Sequence, residues 1–192
     1  MTGVTLDQRV RELLAAGDPA GAASEALQEL GPLTLRYLRS LLQDEDDAAD
    51  AFSQFAENLW KGLPSFRFGA SLRTWAYRIA WNAARNLRHE AYRRHGRRFA
   101  SGEASAIADE IRTKTTERVA RQKDALDQLR RALSVEDQSL LALRIDQELS
   151  WTEIAEVFSE EGQPIHSAAL MKRFERLKSR LAELARTKGL AG

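Results

Sequence analysis

The 192-residue sequence contains no cysteine, which excludes a disulfide framework, a thiol nucleophile and cysteine-ligated zinc. No apolar run approaches the roughly 20 residues that a membrane helix needs, so we expect no membrane insertion. The N-terminus also lacks the basic flank and apolar core of a secretory signal. With 30% charged and 43% apolar residues, the composition is typical of a globular protein, and we expect a cytoplasmic one.

The sequence also lacks the common signatures of an enzyme. Its three histidines, His89, His95 and His166, have no metal-ligand spacing. There is no Gly-rich phosphate loop and no GxSxG nucleophile motif. We therefore expect no catalytic residue, no metal and no cofactor. An α-helical metal-dependent hydrolase is the enzyme alternative, and a tightly bound stoichiometric metal would favour it.

Alternating β-branched residues, which would indicate strands, are nearly absent, whereas the helix formers Ala, Leu, Arg and Glu dominate. The pattern predicts an all-α protein. A helix break is expected at Gly31-Pro32, because proline fits the first turn of a helix but not its interior. The predicted helices span residues 5–16, 22–30, 32–43, 46–61, 71–94, 125–133, 136–147, 151–159 and 167–187.

The charge is unevenly distributed although the net charge is only +1. Residues 1–60 carry −7, whereas residues 61–99 carry +9 and residues 126–192 carry −1. An acidic block followed by a basic block indicates two different partners, of which the basic block fits nucleic acid. Composition also predicts two small helical domains, because residues 95–124 are weakly apolar and resemble a linker.

The acidic block ends in a predicted helix, residues 44–61, that has an apolar face and an acidic face. One interpretation is an ordinary amphipathic helix with a solvated outer face. A second is a docking helix for a partner with a basic and apolar surface. A third is a Mg²⁺ cluster, which lacks a second acidic motif to complete it. The carboxylates concerned are Asp44, Asp46, Asp47 and Asp50.

The predicted helix 71–94 combines arginines with aromatic residues. Its projection assigns one arc to the core, comprising Leu72, Trp75, Ala76, Ile79, Ala80, Ala83 and Leu87. The opposite arc then comprises Arg73, Tyr77, Arg78, Trp81, Arg85 and Arg88. Arginines neutralise phosphates, and exposed rings stack on unpaired bases, so this arc predicts a surface for single-stranded or melting nucleic acid. The alternative is that Tyr77 and Trp81 pack on a neighbouring helix.

The C-terminal region predicts a helix-turn-helix. A short helix begins with the capping box Ser150-Trp151-Thr152-Glu153, and a longer basic helix follows the loop around Gly162 and Pro164. A recognition helix contacts the major groove with its N-terminal residues. The alternative is a plain helical bundle with a basic outer face. The candidate DNA contacts are Ser167, Ala168, Met171, Lys172, Arg173 and Arg176.

Three segments resemble the extracytoplasmic-function (ECF) sigma factors. SFRFGASLRTWAYRIAWNAARN is similar to their promoter-melting region, and DDAADAFSQFAENLW to the preceding core-polymerase-binding helix. LSWTEIAEVF with IHSAALMKRFERLKSRL is similar to their C-terminal helix-turn-helix. The residues in matching places of the first segment are Phe66, Arg67, Gly69, Ser71, Arg73, Thr74, Trp75, Arg78, Ile79, Ala80 and Asn82.

The resemblance implies a bacterial transcription initiation factor, not an enzyme, with core RNA polymerase and promoter DNA as partners; it also allows an anti-sigma factor. It implies a core-binding and −10-recognising domain (32–98), a linker (99–124) and a −35-recognising domain (125–192). Residues 1–31 lie outside the resemblance, and we expect them to form an N-terminal helical extension. Core binding would use Asp47, Asp50, Gln54, Asn58 and Trp60. Binding and melting of the −10 element would use Arg73, Trp75, Tyr77, Arg78, Trp81, Asn82, Arg85 and Arg88. The −35 contacts would be those named above for the helix-turn-helix.

A self-sufficient helix-turn-helix regulator is the main alternative. Such proteins usually dimerise to read paired half-sites. The sequence offers no clear dimer face, although residues 1–31 could provide one.

Overall fold

The computed structural model describes residues 4–42, 44–90, 133–160 and 162–187. The chain divides into two compact units, residues 1–117 and 118–192. All regular elements of the described residues are helical, which confirms the predicted all-α class. None of the helices among these residues is long and apolar enough to cross a membrane. The predicted linker 99–124 and nearly all of the predicted helix 125–133 lie outside the described residues.

The first unit contains four α-helices: α1 (Leu6–Ala15), α2 (Pro19–Leu41), α3 (Glu45–Gly62) and α4 (Leu72–Glu90). A short 3-10 turn, Leu63–Ser65, follows α3. Side chains of Thr5, Asp18 and Asp44 cap the first three helices by accepting hydrogen bonds from backbone N–H groups of the first turn. The long helix α2 packs against α1, α3 and α4, and α3 also packs against α4.

The core of this unit lies between α2, α3 and α4. Aromatic rings fill much of it, since Phe52 and Phe55 of α3 stack at 5.7 Å and are fully buried. Tyr37 of α2 meets Tyr77 of α4 edge to face at 5.3 Å. Burying such rings stabilises the fold by about 1.5–3 kcal/mol each. Because rotation of α4 about its axis would expose Tyr77, this packing fixes the orientation of α4.

The predicted break at Gly31-Pro32 is wrong, because α2 runs through Pro32 without interruption. An interior proline costs about 3 kcal/mol relative to alanine. The helix continues because its apolar stripe is buried on both sides of the proline, with Leu27 and Leu30 before it and Leu35 and Leu38 after it. That burial outweighs the lost hydrogen bond.

The second unit contains α5 (Val135–Leu141), which continues as a π-helical turn (Ala142–Asp146), then α6 (Trp151–Phe158) and α7 (Ser167–Thr187). Ser134 caps α5, and the predicted capping box of Ser150 and Glu153 opens α6. α7 packs on both α5 and α6, and Phe174 of α7 meets Trp151 edge to face at 5.3 Å. Buried leucines close the core: Leu140, Leu143, Leu149, Leu170 and Leu177.

Replacing Pro32 with alanine should stabilise the protein, because alanine restores the missing N–H and removes the steric conflict with the preceding turn. We expect the free energy of unfolding to rise by about 1–3 kcal/mol in urea titrations. Gln28→Ala, at an exposed position one turn earlier, is the control and should change it by less than about 0.5 kcal/mol. A destabilised Pro32→Ala would contradict the continuous helix.

Candidate nucleic-acid interface

The buried face of α4 includes the predicted core residues Leu72, Ala76, Ala80 and Ala83, but its centre is rotated from the predicted one by about 80° at roughly 100° per residue. Trp75, Ile79 and Leu87, predicted for the core, are only half-buried. The true core face turns toward α2 and α3, the two helices that α4 contacts most. Its buried residues are Leu72, Thr74, Ala76, Tyr77, Ala80, Trp81, Ala83 and Ala84.

Tyr77 and Trp81 lie on this core face, so the prediction that they are exposed is wrong. Tyr77 is 1% exposed and Trp81 is 4% exposed. The alternative interpretation, packing on a neighbouring helix, is the correct one, since Tyr77 contacts Tyr37 of α2. Neither ring can stack on a base, which removes both from the set of −10 contacts.

Arg73 also lies on the core side of α4 and is half-buried beside Tyr77, with its guanidinium 5.9 Å from the ring centre. Burial raises the pKa of Tyr77 to about 12, while a hydrogen bond and the positive charge from Arg73, and the charge of Arg36, act in the opposite direction. The guanidinium of Arg73 therefore lies beside Tyr77 and not on the outer face of α4 with Arg78.

The outer face of α4 is a stripe of polar and apolar residues that we call the α4 stripe. Arg78, Asn82 and Asn86 are exposed, and Trp75, Ile79 and Arg85 are half-buried at its edges. Four predicted −10 residues thus share one surface: Trp75, Arg78, Asn82 and Arg85. The prediction omitted Asn86 and placed Ile79 in the core. A helical projection that puts the bulky rings of Tyr77 and Trp81 at the centre of the buried arc leaves both residues on the outer face. The side chain of Arg88 lies outside the described residues.

The loop before α4 extends this stripe with stacked rings. Phe66 stacks on Trp75 at 4.6 Å and contacts Phe68 at 4.7 Å. Phe68 has a φ of 53°, a left-handed backbone conformation that a bulky residue rarely adopts. Trp75 in turn lies close to Gly62, where an added Cβ would be 3.0 Å from the indole. The exposed side chain of Arg67 adds a positive charge at the same edge.

The acidic face of α3 carries the predicted core-polymerase contacts. Asp47, Asp50, Gln54 and Asn58 follow the three- and four-residue spacing of one helix face. Asp50 and Asn58 are exposed, and the amide of Gln54 donates to Asn58 Oδ1 at 3.1 Å. Trp60 is half-buried and lies outside that spacing. This arrangement is an exposed acidic and amide surface.

The Mg²⁺ interpretation of the same helix has no support in the geometry. Asp44 uses its carboxylate to accept the backbone N–H groups of Asp46 at 2.8 Å and Asp47 at 3.1 Å. It is therefore the helix cap. Across the residues described, no group of three or more acidic or histidine side chains is arranged to hold a metal ion.

The predicted recognition helix, α7, exposes most of its candidate contacts. Ala168, Met171, Lys172 and Arg176 are exposed along its first three turns, and Ser167 is half-buried. The loop from α6 to α7 is held by Ser159, whose hydroxyl accepts the N–H of Ile165 at 2.8 Å. Two apolar side chains, Ala168 and Met171, and two cations, Lys172 and Arg176, are therefore exposed together on this surface.

Arg173 differs from its neighbours because it faces α5. Its Nε donates to Asp137 Oδ1 at 2.6 Å, and Nη2 lies 3.4 Å from the Ser134 hydroxyl. Asp137 is in the first turn of α5 and Ser134 is its cap. The guanidinium is thus engaged in holding α7 on α5, which sequence spacing alone could not reveal.

Comparison with known protein families found a match in the first unit. Residues 26–98 match the model of sigma-70 region 2. The matched segment begins within α2 and includes all of α3 and α4, so it contains both the acidic face and the α4 stripe. This part of the chain is a sigma-70 region 2 domain. Comparison with curated proteins found no match.

The region 2 domain supports a sigma-factor role in promoter recognition and transcription initiation, with core RNA polymerase and promoter DNA as partners. Sigma factors are not an enzyme class. The match begins at residue 26, so α1 precedes it, and the second unit follows it.

The buried phenol of Tyr77 makes region 2 sensitive to alkali. An unfolded tyrosine titrates near pH 10, whereas burial raises the pKa of Tyr77 to about 12. Its contribution to stability is therefore complete below pH 10 and is lost as the pH rises toward 12. From pH 9.5 to 12, wild type should lose about 2–3 kcal/mol more unfolding free energy than Tyr77→Phe, measured by urea titration. Parallel curves for the two proteins would show that this phenol is not buried.

Proposed function

We propose that the protein is an ECF-type sigma factor that acts in the cytoplasm. It binds core RNA polymerase through the acidic face of α3, opens the −10 element with the α4 stripe and binds the −35 element with α7. The observation that carries this proposal is the α4 stripe, which joins a cation, amides and a ring stack on the outer face of a region 2 helix.

The chemistry of the α4 stripe fits separated strands better than closed duplex. Arg78 and Arg85 supply charges for phosphates, and these charges give affinity without sequence preference. Asn82 and Asn86 offer both hydrogen-bond donors and acceptors, which suit the edges of bases that have lost their partners. Trp75, supported by Phe66, presents an aromatic surface on which an unpaired base gains about 1–3 kcal/mol.

The acidic face of α3 fits a protein partner rather than DNA. Asp50 and Asn58 are exposed on it. The carboxylate of Asp50 repels phosphates and the neutral Asn58 does not attract them, whereas the acidic face attracts a basic protein surface. The opposite charges of the two helices therefore favour different partners: polymerase for the acidic face of α3 and promoter DNA for the α4 stripe.

The surface of α7 fits the major groove of the −35 element. Lys172 and Arg176 are exposed cations, and Ala168 and Met171 are exposed apolar side chains that suit thymine methyl groups. α6 and α7 together have the order of a helix-turn-helix. The linking segment 159–166 is longer than the usual tight turn, which affects the docking angle.

Run-off transcription with core polymerase and a set of genomic promoters tests this function directly. The purified chain alone should bind promoter duplex weakly, and the complex with core polymerase should initiate at defined start sites. If the chain alone binds promoters specifically and core polymerase has no effect, the alternative, a self-sufficient regulator, is correct. Light scattering separates the two further, since a regulator that reads paired half-sites is expected to be a dimer.

Replacing Arg78 with alanine should weaken open-complex formation and lower the slope of its salt dependence by about one counterion. Potassium permanganate reactivity of unpaired thymines measures strand opening, and filter binding at several salt concentrations gives the slope. Arg186→Ala, at an exposed arginine near the end of α7, is the charge-matched control and should leave opening unchanged. Equal loss in both variants would remove Arg78 from the interface.

Arg173 and Arg176 should behave differently although they lie on the same helix. Arg176→Ala should reduce −35 binding by the holoenzyme and leave stability unchanged, because the side chain is exposed. Arg173→Ala should reduce −35 binding as well. Unlike Arg176→Ala, it should also lower the unfolding free energy by about 0.5–1 kcal/mol, since it leaves Asp137 without its cation. Both should retain core binding. Affinity measurements and urea titrations on each variant distinguish them, and loss of core binding would contradict the division of roles.

A further inference from the structure

Helix α1 reaches across region 2 to the start of α4, although it precedes the family match. The Asp7 carboxylate accepts the backbone N–H of Leu72, with its two oxygens 3.3 and 3.2 Å from the nitrogen. Leu72 is the first residue of α4, whose first turn contains no acidic residue of its own. Asp7 thus supplies from another helix the negative charge that stabilises a helix N-terminus.

Arg11 lies one turn after Asp7 on the same face of α1 and contacts the loop before α4. Its guanidinium is 4.5 Å from the centre of the Phe68 ring. Phe68 contacts Phe66, which stacks on Trp75 of the α4 stripe. A continuous stack therefore runs from a cation on α1 to the ring that faces the proposed −10 strand. The left-handed φ of Phe68 is unfavourable by itself, so this loop conformation depends on such contacts.

Arg9 anchors α1 so that these contacts start from a fixed position. Its guanidinium pairs with Glu25 and Glu29 of α2 and donates to the Val4 carbonyl at 2.8 Å. Leu6 and Val10 are buried on the side of α1 that packs on α2. α1 is thereby attached to α2 along one side and holds the start of α4 with Asp7 and Arg11 on the other.

We propose that Asp7 and Arg11 are positioning residues for promoter opening, which fix the Phe66–Phe68 loop and the first turn of α4 in the geometry that the melted −10 strand requires. This inference rests on the proposed function. It assigns to α1 a role in the DNA-binding step and none in core binding, because both side chains contact the α4 end of the domain and neither contacts the acidic face of α3.

The test compares single-strand binding with core binding in the same variants. The probe is a fluorescein-labelled non-template strand that carries the −10 segment of a promoter found by run-off transcription, bound by holoenzyme and followed by anisotropy. Asp7→Ala and Arg11→Ala should each weaken this binding by about threefold, as the loss of a helix-end charge or a cation–π contact predicts. Core affinity should change by less than about twofold. Glu12→Ala, at the exposed position of α1 that follows Arg11, is the control.

Two further measurements separate positioning from general destabilisation. Hydrogen exchange of peptides that cover residues 66–76 should be faster in Asp7→Ala, while exchange within α3 stays as in wild type. Arg11→Lys, which keeps a cation over the ring, should recover part of the binding that Arg11→Ala loses. A uniform rise in exchange across region 2, without recovery by lysine, would overturn the proposal in favour of a purely structural role.

The outcomes also distinguish this inference from the function on which it rests. If wild-type holoenzyme fails to bind the single strand, the sigma-factor proposal itself is wrong and the positioning role is wrong with it. If wild type binds the strand and both alanine variants bind it equally well, the positioning role alone is wrong. Weaker core binding in step with weaker strand binding would likewise contradict it.

Discussion

Burial of one face of α4 against α2 and α3 is the constraint on which the rest of region 2 depends. Tyr77 and Trp81 occupy the interior, and Tyr37 fixes the ring of Tyr77 from the side of α2. Since a helix presents its remaining residues outward once one face is buried, this packing determines that Arg78 and Asn82 face solvent. The bulky side chains of the core and the polar side chains of the proposed DNA surface are thus carried by one helix.

Charge separation gives the domain its second organising feature. The cap of α3, Asp44, and its first turn, with Glu45, Asp46 and Asp47, place negative charge at the positive end of the helix dipole, whereas the first turn of α4 has no acidic residue. Asp7 of α1 supplies the missing negative charge at that end. An acid within the first turn of α4 would have stabilised the helix equally well but would have lain close to the phosphates. An acid on α1 meets the same need from outside the proposed DNA surface.

Local signals predicted the elements well and the contacts between elements poorly. The caps at Ser134 and Ser150 and the apolar stripe of α7 gave the second unit's helices nearly to the residue. The predicted rotation of α4 is wrong because the arginine-rich arc, predicted to be exposed, also carries Tyr77 and Trp81, whose rings are buried against neighbouring helices. The unbroken helix at Pro32 and the pairing of Arg173 with Asp137 likewise depend on partners distant in sequence.

The most direct measurement of the central claim is photo-crosslinking from a photoreactive residue placed at position 82 in the holoenzyme bound to an open promoter. The account predicts a crosslink to the non-template strand within the −10 element, which disappears when the template is kept closed. The same probe at the exposed position 58, on the acidic face of α3, is the comparison and should crosslink to polymerase. A crosslink from position 82 to polymerase, or to closed duplex alone, would contradict the claim that the outer side of α4 holds separated DNA.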